Sequence, residues 1–172
     1  GIQRGVFEDA FQAAGVILDE SSRLTEVVDG ILTLTRMDQM RYQVVPVELG
    51  IREYIEDQIE RLEGLAYQKK IKLEFLSGDE HKIISDVMLL GRAFSNVTSN
   101  CIRYAKETVQ ISVEAAEDRL KITIRDDGPG ISEADLPHLF DRFYKGKNGN
   151  HGLGLSIAKR SMEYMGGNIE AE

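Results

Sequence analysis

Residues 3–40 contain no proline and set apolar side chains seven residues apart, with Ile17, Leu24 and Ile31 in one row and Val27 and Leu34 in a second. Rows that alternate by three and four residues give a helix a narrow apolar seam, the pattern of helices that pack on other helices. At ~1.5 Å per residue such a helix is long for a chain of 172 residues. Two readings stand: a terminal helix packed on its own domain, or an oligomerisation element whose seam runs past what the remaining chain can cover. Pro46 stops the helical pattern, and Val44, Val45 and Val47 beside it suit an extended edge segment over residues 42–49.

From there the hydrophobic period changes repeatedly. Ile51, Ile55, Ile59 and Leu62 predict an amphipathic helix over 48–67, and the alternation of Ile71, Leu73 and Phe75 predicts a half-buried strand over 71–76. Residues 77–79 turn the chain, and 82–85 can pair briefly. Asp86 suits the N-cap of a helix running to about 105. Residues 109–113 and 120–124 alternate on either side of Glu117 and Asp118, which reads as a β-hairpin. Residues 127–150 are polar and rich in glycine; at roughly two dozen residues this connection is long enough to suggest a lid. Ser132 to Asp135 resembles a capping box for a short helix inside it. A helix over 152–165 ends at Gly166–Gly167, and residues 168–172 begin another strand. The class expected is α+β: an α/β sandwich of helices on one face of a mostly antiparallel sheet, preceded by the long helix.

The charge balance of 21 basic against 29 acidic residues, net −8, argues against sequence-independent nucleic-acid binding, which depends on neutralising phosphates. Cys101 stands alone, so no intrachain disulfide forms. No apolar run approaches the ~20 residues that span a bilayer, so no membrane contact is expected of this stretch.

Three polar clusters carry the chemistry: NVTSNCIRYA (residues 96–105), DDGPGI (126–131) and HGLGLSIAK (151–159). On the helix at 86–105, Leu90, Phe94, Val97 and Cys101 form the core face. Asn96, Asn100, Arg103 and Tyr104 make a second stripe beside it. An Asn oxygen suits Mg²⁺, Arg103 could meet a phosphate and Tyr104 could stack on a base. Asp126, at a strand end, could accept from an amino group such as that of adenine, with Gly128 and Gly130 letting the backbone approach a flat ring. Gly152 and Gly154 open a helix whose N-terminus can hold an anion. The spacing fits neither a P-loop nor a dinucleotide fingerprint. Taken singly, a solvated helix face, an ordinary turn and a glycine-rich loop remain plain alternatives.

Taken in order, the clusters resemble the N box and the two Gly boxes of bacterial sensor histidine kinases, within the GHKL group of ATP-binding proteins, and LFDRFYKG (139–146) is similar to the F box. ESSRLTEVVDGILTLTRMD (20–38) resembles the second helix of the family's dimerisation and phosphotransfer hairpin. The resemblance implies a Bergerat-type fold with two parts: residues 1–41, part of the dimerisation region, and 42–172, an ATP-binding catalytic domain with a lid at about 127–151. It implies ATP and Mg²⁺ as cofactors, with Asn100 holding the metal and Asn96 assisting. Arg103 would contact phosphate and Tyr104 line the adenine. Asp126 would bind the adenine amino group, with Gly128, Gly130 and Ile131 shaping that pocket. Phe140 and Phe143 would anchor the lid, while Arg142, Lys145 or Lys147 could reach phosphate. Gly152, Leu153, Gly154 and Leu155 would cap the triphosphate. Asn96 cannot act as a general base, which favours transfer to a protein acceptor over hydrolysis.

The activity implied is an ATP-dependent protein-histidine kinase in two-component signalling. A response regulator would be the partner, the parent protein would form a homodimer through the helical hairpin, and a membrane anchor would hold this domain on the cytoplasmic side. None of His81, His138 and His151 lies on the long helix, so the phosphoacceptor helix is expected to precede residue 1 and the chain by itself not to autophosphorylate normally. Asn150–His151 departs from the usual residues before GLG, and the last strand is expected beyond Glu172. A GHKL-fold binding module without kinase activity and an anti-sigma-type Ser/Thr kinase are the alternatives. The heptad helix argues against the second.

Overall fold

The computed structural model describes residues 2–39, 42–78, 80–116, 119–145 and 152–172. They belong to two units, Gly1–Arg41 and Tyr42–Glu172. The first is helix α1 (Ile2–Asp38), on which Ile17, Leu24 and Ile31 are all solvent-exposed. Among the described residues no helix is long and apolar enough to cross a membrane.

In the second unit, β1 (Pro46–Gly50) leads into α2 (Ile51–Lys69), followed by β2 (Lys72–Gly78), β3 (Lys82–Asp86), α3 (Val87–Tyr104), β4 (Thr108–Ala116), β5 (Arg119–Asp126) and α4 (Gly154–Tyr164). Strands β2, β4 and β5 form one sheet in that order, and β1 pairs with β3 in another. Val109, Ile111 and Val113 alternate along β4 and are almost wholly buried. Ile111 and Val113 press on Ile51, Tyr54 and Ile55 of α2 and on Leu90 and Phe94 of α3. Each such aliphatic side chain contributes roughly 1.5–3 kcal/mol by leaving water. A smaller cluster joins Val109 to Ala66, Ile71, Cys101 and Ile102. The helices thus cover one face of the sheet, as a sandwich requires.

The structure shifts four details of the sequence reading. The helix expected from residue 48 starts at Ile51, because Glu48, Leu49 and Gly50 pair with Ile84, Ile83 and Lys82. The Ile51 N–H then donates to the His81 carbonyl at 3.0 Å. The three-stranded sheet is mixed: β4 and β5 are antiparallel, but β2 and β4 are parallel. A parallel pair needs a long crossover, and β3 with α3 supplies it. The expected helix from Ser132 reduces to a 3₁₀ turn, Leu136–His138. There the Ser132 hydroxyl donates to Asp135 Oδ2 at 2.7 Å and accepts from the Asp135 N–H at 3.2 Å, closing a local turn in place of a helix. Residues 168–172 run without ladder pairing. Ile169 and Ala171 are half-buried and alternate with exposed neighbours, as in a strand, but no ladder forms.

Asp86 holds the N-terminal end of the unit together. It is 2% exposed and caps α3 by accepting from the N–H groups of Met88 at 2.9 Å and Leu89 at 3.0 Å. Its other oxygen accepts from the Val45 N–H at 2.9 Å, and the Tyr42 hydroxyl donates to the same carboxylate at 3.3 Å. Burial works against the charge, but the Val45, Leu89 and Met88 donors and the Tyr42 hydroxyl outweigh it and keep the carboxyl below its ordinary range. A carboxyl lowered in the folded state stabilises fully above its unfolded value of ~3.9, and that stability is lost as pH falls through the folded value. Asp86→Ala is expected to cost roughly 2–3 kcal/mol at neutral pH. Asp86→Asn is expected to flatten the acid limb below about pH 4. Urea unfolding followed across that range checks both; an unchanged acid limb in the Asn variant counts against this account.

Candidate functional site

Helix α3 carries the first polar cluster and meets the other two. Its apolar stripe, with Leu89, Leu90, Ala93, Phe94, Cys101 and Ile102 buried, fixes the rotation of the helix about its axis. That rotation sets Asn96 and Asn100 at the border of the core, both half-buried, one turn apart. The Asn96 amide donates to the Arg92 carbonyl at 2.8 Å, and its Oδ1 faces Gly154. A Cβ on Gly154 would lie 2.7 Å from that oxygen, so glycine lets the first turn of α4 rest directly on Asn96.

The start of α4 is shaped by the segment before it. Gly152 has φ +70°, and its carbonyl accepts from the Phe143 N–H at 2.8 Å. The Ser156 hydroxyl donates to the Leu153 carbonyl at 2.8 Å. Among the described residues no side chain caps the helix. The N–H groups of a first helical turn lack intrahelical acceptors and sit at the positive end of the helix dipole. Such a turn is suited to an anion.

At the other end of the motif, Asp126 terminates β5 and accepts from the Gly128 N–H at 2.9 Å, which turns the backbone back on the carboxylate. A Cβ on Gly128 would meet both Asp126 Oδ1 and the Tyr104 carbonyl oxygen at 2.5 Å, so the last turn of α3 and the DDGPGI turn touch through their backbones. The buried Cys101 thiol bonds to Asp126; burial, then the neighbouring charge and the hydrogen bond, push the thiol up to about 12. Cys101 was legible in the sequence as a core residue; its contact with Asp126 depends on how β5 lies beside α3.

The remaining residues divide. Tyr104 is half-buried and Arg103 exposed in the last turn of α3. Ile131 is exposed just beyond Gly130, which has φ +77°. Leu155 is half-buried, while Leu153 is 3% exposed, so its backbone and not its side chain can front a phosphate. Phe140 lies under the Lys159 ammonium, 5.8 Å from the ring centroid. Phe143 is 59% exposed, with φ +63°, and its backbone bond to Gly152 ties residues 139–145 to the start of α4. Lys145 and Arg142 are exposed on that segment. Lys147, Asn150 and His151 lie outside the described residues. Before them in the chain, the Tyr144 hydroxyl donates to Asp135 and His138 pairs with Asp141 at 2.9 Å.

One helix therefore touches the anion-suited turn through Asn96 and the carboxylate turn through Cys101 and Tyr104. Eight residues of helix separate Asn96 from Tyr104, about 12 Å. That is of the order of the base-to-phosphate span of a nucleoside triphosphate. The glycines at 128 and 154 let both segments come into direct contact with α3. Burial and the raised thiol both keep Cys101 from presenting a thiolate. The folded protein is expected to resist a thiol reagent that labels one cysteine per chain once unfolded; rapid labelling of the folded protein contradicts the geometry around Asp126.

Comparison with known proteins shows the family of this chain. Residues 85–172, just over half of the chain, match the model of the family described as histidine kinase-, DNA gyrase B-, and HSP90-like ATPase. The chain is 31% identical over 165 residues to the signal transduction histidine-protein kinase AfsQ2 of Streptomyces coelicolor, covering 93% of this chain and 30% of that protein. It is 32% identical over 174 residues to the sensor histidine kinase CssS of Bacillus subtilis, covering 99% of this chain and 38% of that protein. The chain thus spans about a third of the length of these curated relatives. Among solved structures, Acinetobacter baumannii histidine kinase AdeS shares the fold with a TM-score of 0.73 at 22% identity, over 85% of this chain and 70% of that one. Family membership brings nucleotide use with it: the chain belongs to the histidine kinase-, DNA gyrase B- and HSP90-like ATPases.

Proposed function

We propose that residues 42–172 bind Mg-ATP and, within a longer sensor kinase, direct transfer of the γ-phosphoryl group to a protein histidine. The observation that carries this reading is the convergence on α3 of an uncapped helix N-terminus at one end and a glycine-flanked carboxylate at the other. Bound ATP would supply the phosphoryl group, and catalysis would rest on positioning and charge neutralisation. Asp126 would accept from the adenine amino group, with Gly128, Gly130 and Ile131 beside it and Tyr104 lining the base. The N–H groups of Gly154 and Leu155, with Gly152 and Leu153 before them, would face the phosphates. Asn100 would hold Mg²⁺ with Asn96 assisting, and Arg103 and Lys145 would reach phosphate. Asn96, whose amide is bonded to the Arg92 carbonyl, offers no proton acceptor that could activate water.

In the longer protein, α1 would pair with other helices in a homodimer, a role supported by the exposed row of Ile17, Leu24 and Ile31. A response regulator would receive the phosphoryl group, and a membrane anchor elsewhere in the protein would hold this part on the cytoplasmic face. The relatives' names, a signal transduction histidine-protein kinase and a sensor histidine kinase, support the signalling role.

Thermal unfolding with increasing MgATP tests the site. A ligand held only by the folded state at 100 times its Kd adds about 2.7 kcal/mol, so the melting temperature is expected to rise. Asn100→Ala is expected to remove the magnesium dependence of that rise, and Asp126→Asn to weaken ATP by at least about tenfold relative to GTP. Unchanged MgATP affinity in both variants removes the assignment. No shift in the wild type at millimolar nucleotide leaves a binding module of the same fold.

A further inference from the structure

The second carboxylate of the DDGPGI turn points away from its neighbour. Asp127 Oδ1 accepts from the Lys106 N–H at 2.8 Å, and both its oxygens accept from the Glu107 N–H at 3.1 Å. Its own N–H donates to the Thr108 carbonyl at 3.3 Å. Lys106 and Glu107 form the short link between the end of α3 and β4. The Glu107 donor first, against some burial, and then Thr108 and Lys106 keep the Asp127 carboxyl below its ordinary range, as expected of an ionised acceptor.

We propose that Asp127 is a positioning residue of the nucleotide site, fixing the 105–107 link so that Tyr104 is held against Gly128 and the base-side wall has one width. This rests on the nucleotide reading given above. Three features make the clamp specific. The link is short and exposed, so its two N–H groups would otherwise turn to water. The contact it controls has no slack, because Gly128 leaves no room even for a Cβ against the Tyr104 carbonyl. Asp127 follows Asp126 directly, so a shift of one carboxylate moves the backbone of the other. The two adjacent acids therefore divide the work: Asp126 faces Cys101 and the Gly128 turn, and Asp127 holds the helix end in register with it.

Calorimetric titration of the whole chain with MgATP and MgGTP, beside amide hydrogen exchange at Lys106 and Glu107, tests this. Asp127→Ala is expected to speed exchange at both amides, weaken MgATP roughly tenfold and reduce the ATP-to-GTP preference. Asp127→Asn keeps one acceptor oxygen and is expected to retain most of both. Faster exchange with affinity and preference unchanged overturns the proposal and leaves Asp127 a surface turn residue. If the Ala variant does not fold, the Asn variant decides: faster exchange at Glu107 must come with a lower ATP-to-GTP preference, or the proposal fails. A wild-type chain that binds no MgATP defeats the nucleotide reading itself.

Discussion

The burial of one face of α3 against β4 is the constraint on which the rest depends. Leu90 and Phe94 press on Ile111 and Val113, and Cys101 and Ile102 on Val109. Once that stripe is in the core, the helix cannot rotate without exposing it, at a cost of several kcal/mol. The polar stripe alongside is therefore aimed without any need for polar residues to steer it. Asn96 and Asn100 sit where apolar packing leaves them, at the edge of the core and within reach of whatever lies against the helix.

Two segments lie there, and each is admitted by a glycine. Gly154 lets α4 start on Asn96, and Gly128 lets the strand-end turn touch Tyr104. Antiparallel travel follows for α4: its start meets residue 96, while Met165, just past its end, accepts from the Ser85 hydroxyl at 3.2 Å. A helix laid along α3 in that direction presents its N-terminus, and hence its positive end, beside the amide stripe. The direction of one helix thus decides the sign of the local field at the site. Reversal would present carbonyl groups and repel phosphate.

Much of the architecture was legible because periodicity reports burial directly. The hairpin of β4 and β5, the cap at Asp86 and the helix that follows it all appear as patterns of apolar and capping residues. The three clusters were legible by their order and spacing. What escaped was decided by partners distant in sequence. The start of α2 depends on β3 taking up Leu49 and Gly50, and the parallel pairing of β2 with β4 depends on the crossover between them. The backbone bond of Phe143 to Gly152, at positive φ, likewise joins residues nine apart and has no periodic signature.

The sequence alone determined which surfaces must be hidden and where the polar clusters lie along the elements, because residue chemistry and apolar spacing are local properties. It also determined the family, since ordered motifs survive where overall identity is low. Only the tertiary structure decided that Cys101 meets Asp126, that Asp127 turns back to hold the link after α3, and that Asn96 lies under the mouth of α4. Those contacts join residues from different elements, and side chains that meet across a core or a glycine gap leave no periodic trace along the chain.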